Sequence, residues 1–163
     1  MNAMKKLLFA LLLAAVAAPA LQAQESAALP LRYSVGFGAG PQSGHGLHVG
    51  IARGLNAVDL GLGVIYDGND AKWGYSTGLR YLRTLYAGRV NDTYAWGGGA
   101  LTGNYRDQTA SHVTSFGAGL GVAFHYGLPL RVYFDSGLAA YLSEGLEKKE
   151  YYPAFNGGVV YEW

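Results

Sequence analysis

The 163-residue sequence contains no cysteine and few charged residues. The absence of cysteine excludes a disulfide-stapled fold, a Cys-ligated zinc site and lipid attachment at a processed cysteine. Charged residues make up 14% of the chain and hydrophobic residues 50%, which excludes a disordered polar tail. Acidic and basic groups number 11 and 12, so the sequence predicts no basic surface for nucleic acid.

The first 23 residues have the pattern of a secretory signal peptide. A short basic start at residues 1–6 precedes an unbroken apolar run at 7–18, and small residues surround two cleavage points, after Ala20 and after Ala23. The alternative, a membrane anchor, would need a longer apolar run. We therefore expect export with removal of residues 1–23, a short lead at 24–30 and one folded domain at 31–163.

From residue 31 onward the hydropathy alternates with a period of two, which predicts strands and no helix. In the first segment Leu31, Tyr33, Val35 and Phe37 face one side, while small or polar residues face the other. The chain contains eight such segments, each about 9 to 12 residues long, the length of a tilted strand that crosses a bilayer. In the fifth segment, 93–104, a run of three glycines obscures which residues face which side.

The connections between these segments alternate in length. Tight turns are predicted at Gly54-Leu55, around Gly88 and at Gly127-Leu128, and longer polar loops at 40–46, 67–72, 105–111 and 143–150. Short turns at one end and longer loops at the other are typical of outer-membrane barrels. The sequence therefore predicts an all-β fold, an eight-stranded antiparallel up-and-down transmembrane β-barrel.

The residues opposite the apolar set indicate which face meets lipid. A soluble barrel would turn its apolar set inward and carry Lys, Glu and Thr outside, whereas here the opposite set is mostly Gly, Ser and Ala, which suit a narrow lumen. The lysines after the signal peptide, at 72, 148 and 149, fall in predicted loops. Aromatic residues collect at strand ends and predict two interfacial girdles: Tyr66, Trp73, Tyr75 and Tyr151 beside the long loops, and Tyr33, Tyr81, Tyr94, Trp96, Tyr126, Tyr161 and Trp163 nearer the tight turns.

The last strand ends with Val159, Tyr161 and Trp163 at alternate positions. This ending is similar to the C-terminal signal of bacterial outer-membrane barrels, and the chain as a whole resembles the small eight-stranded group that includes the OmpA membrane domain, OmpX and the opacity-type proteins. The resemblance implies residence in the outer membrane among its lipid and lipopolysaccharide, and insertion by the barrel-assembly machinery. We expect a monomer.

The predicted lumen contains charged pairs. With a loop at 67–72, Tyr66 pairs with Trp73 and Asp59 falls opposite Arg80; with a loop at 143–150, Leu142 pairs with Tyr151 and Arg131 falls opposite Glu162. Arg32 and Asp135 complete three acids and three bases, as expected where unpaired charge is expensive. Two interpretations stay open: a structural salt-bridge plug, or a gate in which exchange of partners opens a narrow ion path.

Other polar residues give weaker signals for chemistry. His48 and His125 point inward without the partners that a metal site needs. Ser43 and His45 lie in the first loop, Asp67 and Asp70 in the second, and Ser111 and His112 at the end of the third. A serine, a histidine and an acid on one rim would suit acyl transfer. We expect no enzymatic activity, cofactor or metal, and a structural or interaction role in the cell envelope. A narrow gated channel and a lipid A-modifying acyl-transfer enzyme built around His45 are the alternatives.

Overall fold

Eight antiparallel strands close into one barrel. The computed structural model describes residues 29–67, 72–106, 109–125, 128–143 and 148–163; the predicted signal peptide and most of the lead lie outside these ranges. Each strand pairs with the next, and β1 pairs with β8, which closes the sheet and confirms the predicted fold class. The strands are β1 Leu31–Ala39, β2 Gly46–Arg53, β3 Asn56–Asp67, β4 Lys72–Ala87, β5 Asn91–Arg106, β6 Thr109–Phe124, β7 Leu130–Ser143 and β8 Lys148–Glu162.

The alternation of the sequence becomes the two faces of the barrel. In β1 the four apolar side chains at 31, 33, 35 and 37 point outward and are 37 to 70% exposed. The residues between them point inward, because successive side chains of a strand lie on opposite faces. The described part of the chain contains no helix long and apolar enough to cross a membrane.

The two ends of the barrel differ, and we name them for reference. The turn side carries the β2–β3 turn, in which Gly54 has a φ of +58°. This positive φ at the first turn position fits the type II′ turn that glycine favours in two-residue hairpins. The loop side is the opposite end, where residues 40–45 connect β1 to β2.

Three of the predicted loops are shorter than expected. Arg106 pairs with Thr109, so most of the predicted loop at 105–111 is strand. β8 begins at Lys148, inside the predicted loop at 143–150, and Lys72 is the first residue of β4. The prediction that all three lysines lie in loops is therefore wrong, because backbone pairing continues past the apolar part of each hairpin.

Strand β5 corrects part of the aromatic girdle. Tyr94 and Trp96 were predicted to lie at the membrane interface, but they are only 4% and 3% exposed and pack inside the barrel with Tyr133. Their outward neighbours are the small residues Ala95 and Gly97. In β5 the large side chains thus lie inside and the small ones outside, the reverse of the other strands, because rings of the neighbouring strands cover its outward glycines. Tyr33, Tyr75, Tyr151, Tyr161 and Trp163 do face outward, while Tyr126 and the side chains of Tyr66 and Trp73 lie outside the described set.

Candidate functional site: the barrel lumen

Four charged side chains form a ring at the turn side of the lumen, which we call the turn-side ring: Arg32, Asp92, Arg131 and Glu162. Glu162 accepts hydrogen bonds from both arginines, with N···O distances of 2.6 Å to Arg32 and 2.7 Å to Arg131. Arg131 also donates to Asp92 at 2.9 Å. The ring therefore joins β1, β5, β7 and β8 where the barrel meets solvent, and its ion pairs are partly screened by water.

Further into the lumen lies a second group of polar side chains, which we call the central cluster: His48, Asp59, Arg80, Asp135 and Asn156. Arg80 is 2% exposed and donates to Asp59 and to Asp135, each at 2.8 Å. His48 Nδ1 lies 3.0 Å from Asp59, and Asn156 donates its side-chain amide to Asp135. The buried guanidinium of Arg80 thus forms ion pairs with two carboxylates, one on β3 and one on β7.

Two tyrosines contact this cluster. The Tyr94 hydroxyl donates to Asp135 at 3.0 Å, and the guanidinium of Arg80 lies 5.2 Å from the centre of the Tyr133 ring. A cation over an aromatic face is attracted to the ring quadrupole, and the attraction strengthens where water is excluded. Together with the carboxylates, these contacts fix the position of Arg80 within the lumen.

The loop side of the lumen is filled by the chain itself, because the β1–β2 connection folds inward. We call residues 40–45 the inner loop. Gln42 and Ser43 are fully buried, and the backbone N–H groups of both donate to Oδ1 of Asn156 at 3.3 Å. Ser115 on β6 donates to the Pro41 carbonyl at 2.8 Å. Asn156 therefore links the inner loop to the central cluster.

Glycines on three strands make room for the inner loop. A Cβ atom at Gly78 would lie 2.6 Å from the Gly44 nitrogen, and one at Gly117 would lie 3.1 Å from Cγ of Gln42. A Cβ at Gly61 would collide with the Ser43 carbonyl. The predicted small-residue face thus serves a purpose that the alternation alone does not reveal: it accommodates an inserted segment of backbone.

A small chamber separates the turn-side ring from the central cluster. Its volume is about 90 Å³, enough for a few water molecules, and a second cavity of about 260 Å³ shares Arg32, Arg131 and Glu162 with it at the turn side. Ala52, Ala57 and Leu82 line the chamber together with charged side chains of the ring and the cluster. The chamber ends at Arg80, so Asp59 is accessible from the turn side, with 13% of its side chain exposed.

The register of the β3–β4 hairpin agrees with the sequence. Tyr66 pairs with Trp73, and Asp59 lies opposite Arg80, as predicted. Asp135 also reaches this pair, although it lies on β7.

The predicted register of the β7–β8 hairpin is wrong. Arg131 pairs with Val160 instead of Glu162, and Tyr151 pairs with Ala140 instead of Leu142. The cause is the early start of β8, which shifts the ladder by two residues. A shift of two keeps every side chain on its own face, so Arg131 and Glu162 still form their ion pair, along a diagonal.

The sequence reasoning missed two residues of the site. The first is Asp92. With it, the lumen of the described residues contains four carboxylates (Asp59, Asp92, Asp135 and Glu162) and three arginines (Arg32, Arg80 and Arg131). The inward position of Asp92 follows from the phase of β5, since residues 92, 94 and 96 share a face, but the glycine run hid that phase. The two-residue period of β8 puts Asn156 on the inward face, but no local signal connects it to the inner loop.

The candidate catalytic and metal-ligating residues are dispersed. Ser43 is sealed in the lumen and its hydroxyl donates to the Gly44 carbonyl, whereas His45 is exposed. His112 bonds the Tyr75 hydroxyl at 2.7 Å on the outside of the barrel, and His125 lies 3.6 Å from Asp92. Asp70 lies outside the described residues. Among those that are described, no three acidic or histidine side chains are arranged to hold a metal ion.

The C-terminal residues point outward. Val159, Tyr161 and Trp163 are 42 to 59% exposed, and the Trp163 ring lies 6.3 Å from that of Tyr33. Trp163 also exchanges backbone hydrogen bonds with Tyr33 of β1. The last residue of the chain therefore takes part in closing the barrel.

No family model matches the chain, and no curated protein matches it. A major outer membrane protein from Thermus thermophilus is similar in structure, with 15% sequence identity and a TM-score of 0.46 over 82% of this chain and 99% of that one. The function of this chain is accordingly inferred from its own lumen and outer surface.

Proposed function

We propose that this chain is an integral β-barrel of the bacterial outer membrane with a closed lumen and a structural or interaction role in the envelope. The observation that carries the proposal is the apolar outer face. Phe37, Val64, Leu138 and Phe155 are between 69 and 72% exposed, and burying each such side chain is worth about 1.5 to 3 kcal/mol. A bilayer core provides that burial, and a closed barrel leaves no unpaired strand edge in it.

The surroundings follow from this placement. The apolar face lies against lipid and, in the outer leaflet, lipopolysaccharide, with the turn side and the C terminus toward the periplasm. The barrel-assembly machinery inserts the chain through its last strand, after removal of the signal peptide. The outward Val159, Tyr161 and Trp163 support this route, which is that of the OmpA, OmpX and opacity-type group. The barrel acts as a monomer.

A closed lumen suits a protein that does not conduct at rest. The central cluster and the inner loop fill successive levels of the interior, so both layers would have to move before a solute could pass. The ion pairs also tie strands β1, β3, β4, β5, β7 and β8 together. We therefore assign the lumen charges to stiffening of the barrel in its resting state.

The proposal is tested by fractionation and by conductance. Cells expressing the full chain should carry it in the outer-membrane fraction with a mature N terminus at Leu21 or Gln24, and as a band whose gel mobility changes on heating. Wild-type protein in planar bilayers should be silent. Arg131→Ala should also be silent, because the central cluster and the inner loop remain. Steady channels in the wild type, or a water-soluble chain, would contradict the proposal.

A narrow channel is the second candidate, and the chamber is the observation that favours it. Asp59 lines the chamber with 13% of its side chain exposed, so the central cluster and the inner loop are the layers that separate the chamber from the loop side. Acyl-transfer activity is not part of the proposal, since Ser43 and His45 face different environments. Identical lipid A from cells with and without the protein is the expected result.

A further inference from the structure

The inner loop is held in the lumen by few interactions. Among the described residues, three hydrogen bonds anchor it to the barrel wall: two backbone N–H groups donate to Asn156 at 3.3 Å, and Ser115 donates to Pro41 at 2.8 Å. Both N–H bonds are longer than is usual for protein hydrogen bonds, and they share a single acceptor atom. The anchor is therefore concentrated in one side chain.

The seated loop also carries an uncompensated polar group. The side-chain amide of Gln42 is fully buried, and within the described residues neither its nitrogen nor its oxygen has a hydrogen-bond partner. A buried amide without partners loses the hydrogen bonds that it would make in water. Moving the loop out of the lumen restores those bonds, so the seated and the displaced positions of the loop are closer in free energy than the complete burial suggests.

The volume that the inner loop occupies is bordered by glycines. When the loop leaves, the glycines at 61, 78 and 117 present no side chains to fill the vacated volume. The chamber on the turn side reaches to Arg80, which leaves the central cluster as the layer between the two aqueous phases. The described lumen then carries four carboxylates and three arginines, a net negative charge when the histidines are neutral.

We propose that residues 40–45 are a displaceable plug, and that their displacement, together with the loosening of the central cluster that Asn156 joins to them, opens a path for small cations whose narrowest point is Arg80. This inference rests on the proposed membrane barrel and adds the regulation of its lumen. Asn156 is the latch, because it bonds the inner loop through Oδ1 and Asp135 through its amide nitrogen. Gln42 is the residue that limits how firmly the plug is held.

Two substitutions should act in opposite directions. The chain has no cysteine, so Ser43→Cys introduces a single thiol on the plug, and its reaction with a charged, membrane-impermeant methanethiosulfonate reagent measures displacement. In this background Asn156→Ala should speed the reaction about tenfold, the ratio that corresponds to 1.4 kcal/mol. Gln42→Leu removes the unsatisfied amide and should slow the reaction by a similar factor. A cationic reagent should react faster than an anionic one of the same size.

Conductance provides the second readout. Asn156→Ala should give channels whose reversal potential in a KCl gradient shows a preference for K⁺, and Gln42→Leu should be silent. Ser115→Ala removes only the bond to Pro41 and should shift both readouts in the direction of Asn156→Ala, which keeps the test available should the latter fail to fold. The matched control is Ser136→Ala on the outer face of β7, where the side chain is exposed.

The outcomes separate this inference from the proposed function. Equal reaction rates in all variants, or the same acceleration in Ser136→Ala, would overturn the plug while leaving a membrane barrel intact. Faster reaction without conductance would overturn the cation path. Absence of the heat-dependent gel shift in the wild-type chain would instead count against the barrel in the membrane.

Discussion

At the scale of single residues, the sequence identifies which charges lie in the lumen better than it identifies their partners. Asp59 and Arg80 are predictable, because a hairpin register and the two-residue period place them opposite each other. The contact between Arg80 and Asp135 crosses the lumen from β4 to β7. It depends on the closure and stagger of the whole barrel, which no local pattern encodes.

Replacement of Arg80 tests how much its ion pairs contribute to the free energy of unfolding. Arg80→Met keeps the length of the side chain but leaves Asp59 and Asp135 without their buried counter-charge, and should lower the free energy of unfolding by about 3 to 5 kcal/mol. Arg32→Met at the turn-side ring is the control. Its side chain is 43% exposed, so the loss should stay below about 1 kcal/mol. Urea unfolding of barrels refolded in lipid vesicles measures both, and equal losses would show that the central cluster has no special role in stability.

At the scale of strands, the hydropathy alternation of seven of the eight segments shows which side chains face the lumen, whereas that of β5 does not. Gly97, Gly98 and Gly99 erase the alternation, and the neighbouring aromatic residues were assigned to the wrong face. The orientation follows from the adjoining strands. The Phe116 ring of β6 lies over Gly99, and the Tyr75 ring of β4 lies over Gly103. Because these outward rings cover the outward glycines of β5, the large side chains of β5, Tyr94 and Trp96, lie on its inward face.

Two adjacent glycines provide a direct test of the orientation of β5. A Cβ atom at Gly98 would lie 2.5 Å from the Leu79 carbonyl oxygen and 2.8 Å from Cγ of Arg80, whereas one at Gly97 would come no closer than 3.9 Å to Gly117. Gly98→Ala should therefore destabilise the barrel by about 1 to 3 kcal/mol through overpacking. Gly97→Ala should change stability by less than about 0.5 kcal/mol. The reverse order in the same urea titration would mean that β5 faces the other way.

At the scale of the whole molecule, the distribution of polarity is inverted relative to a water-soluble protein. Most of the large apolar side chains are outside, and Arg80, Asp135 and Asn156 are inside. The sequence predicts this inversion from the size of the inward residues. It does not predict that residues 40–45 enter the lumen, because the space they occupy is created jointly by glycines on β3, β4 and β6.

Tryptophan fluorescence in brominated lipid tests the inversion and the strand orientation together. Trp163 is 59% exposed on the outer face, and Trp96 is 3% exposed in the lumen. With Trp73→Phe as the common background, Trp96→Phe leaves the outer indole and Trp163→Phe leaves the inner one. Bromine quenches on close approach, so lipid brominated near its headgroup end should quench the outer indole strongly and the inner one several-fold less. Equal quenching would place Trp96 against lipid and contradict the orientation of β5. Absence of quenching in both variants would mean that the outer face does not meet a bilayer, and would favour a barrel that is soluble in water.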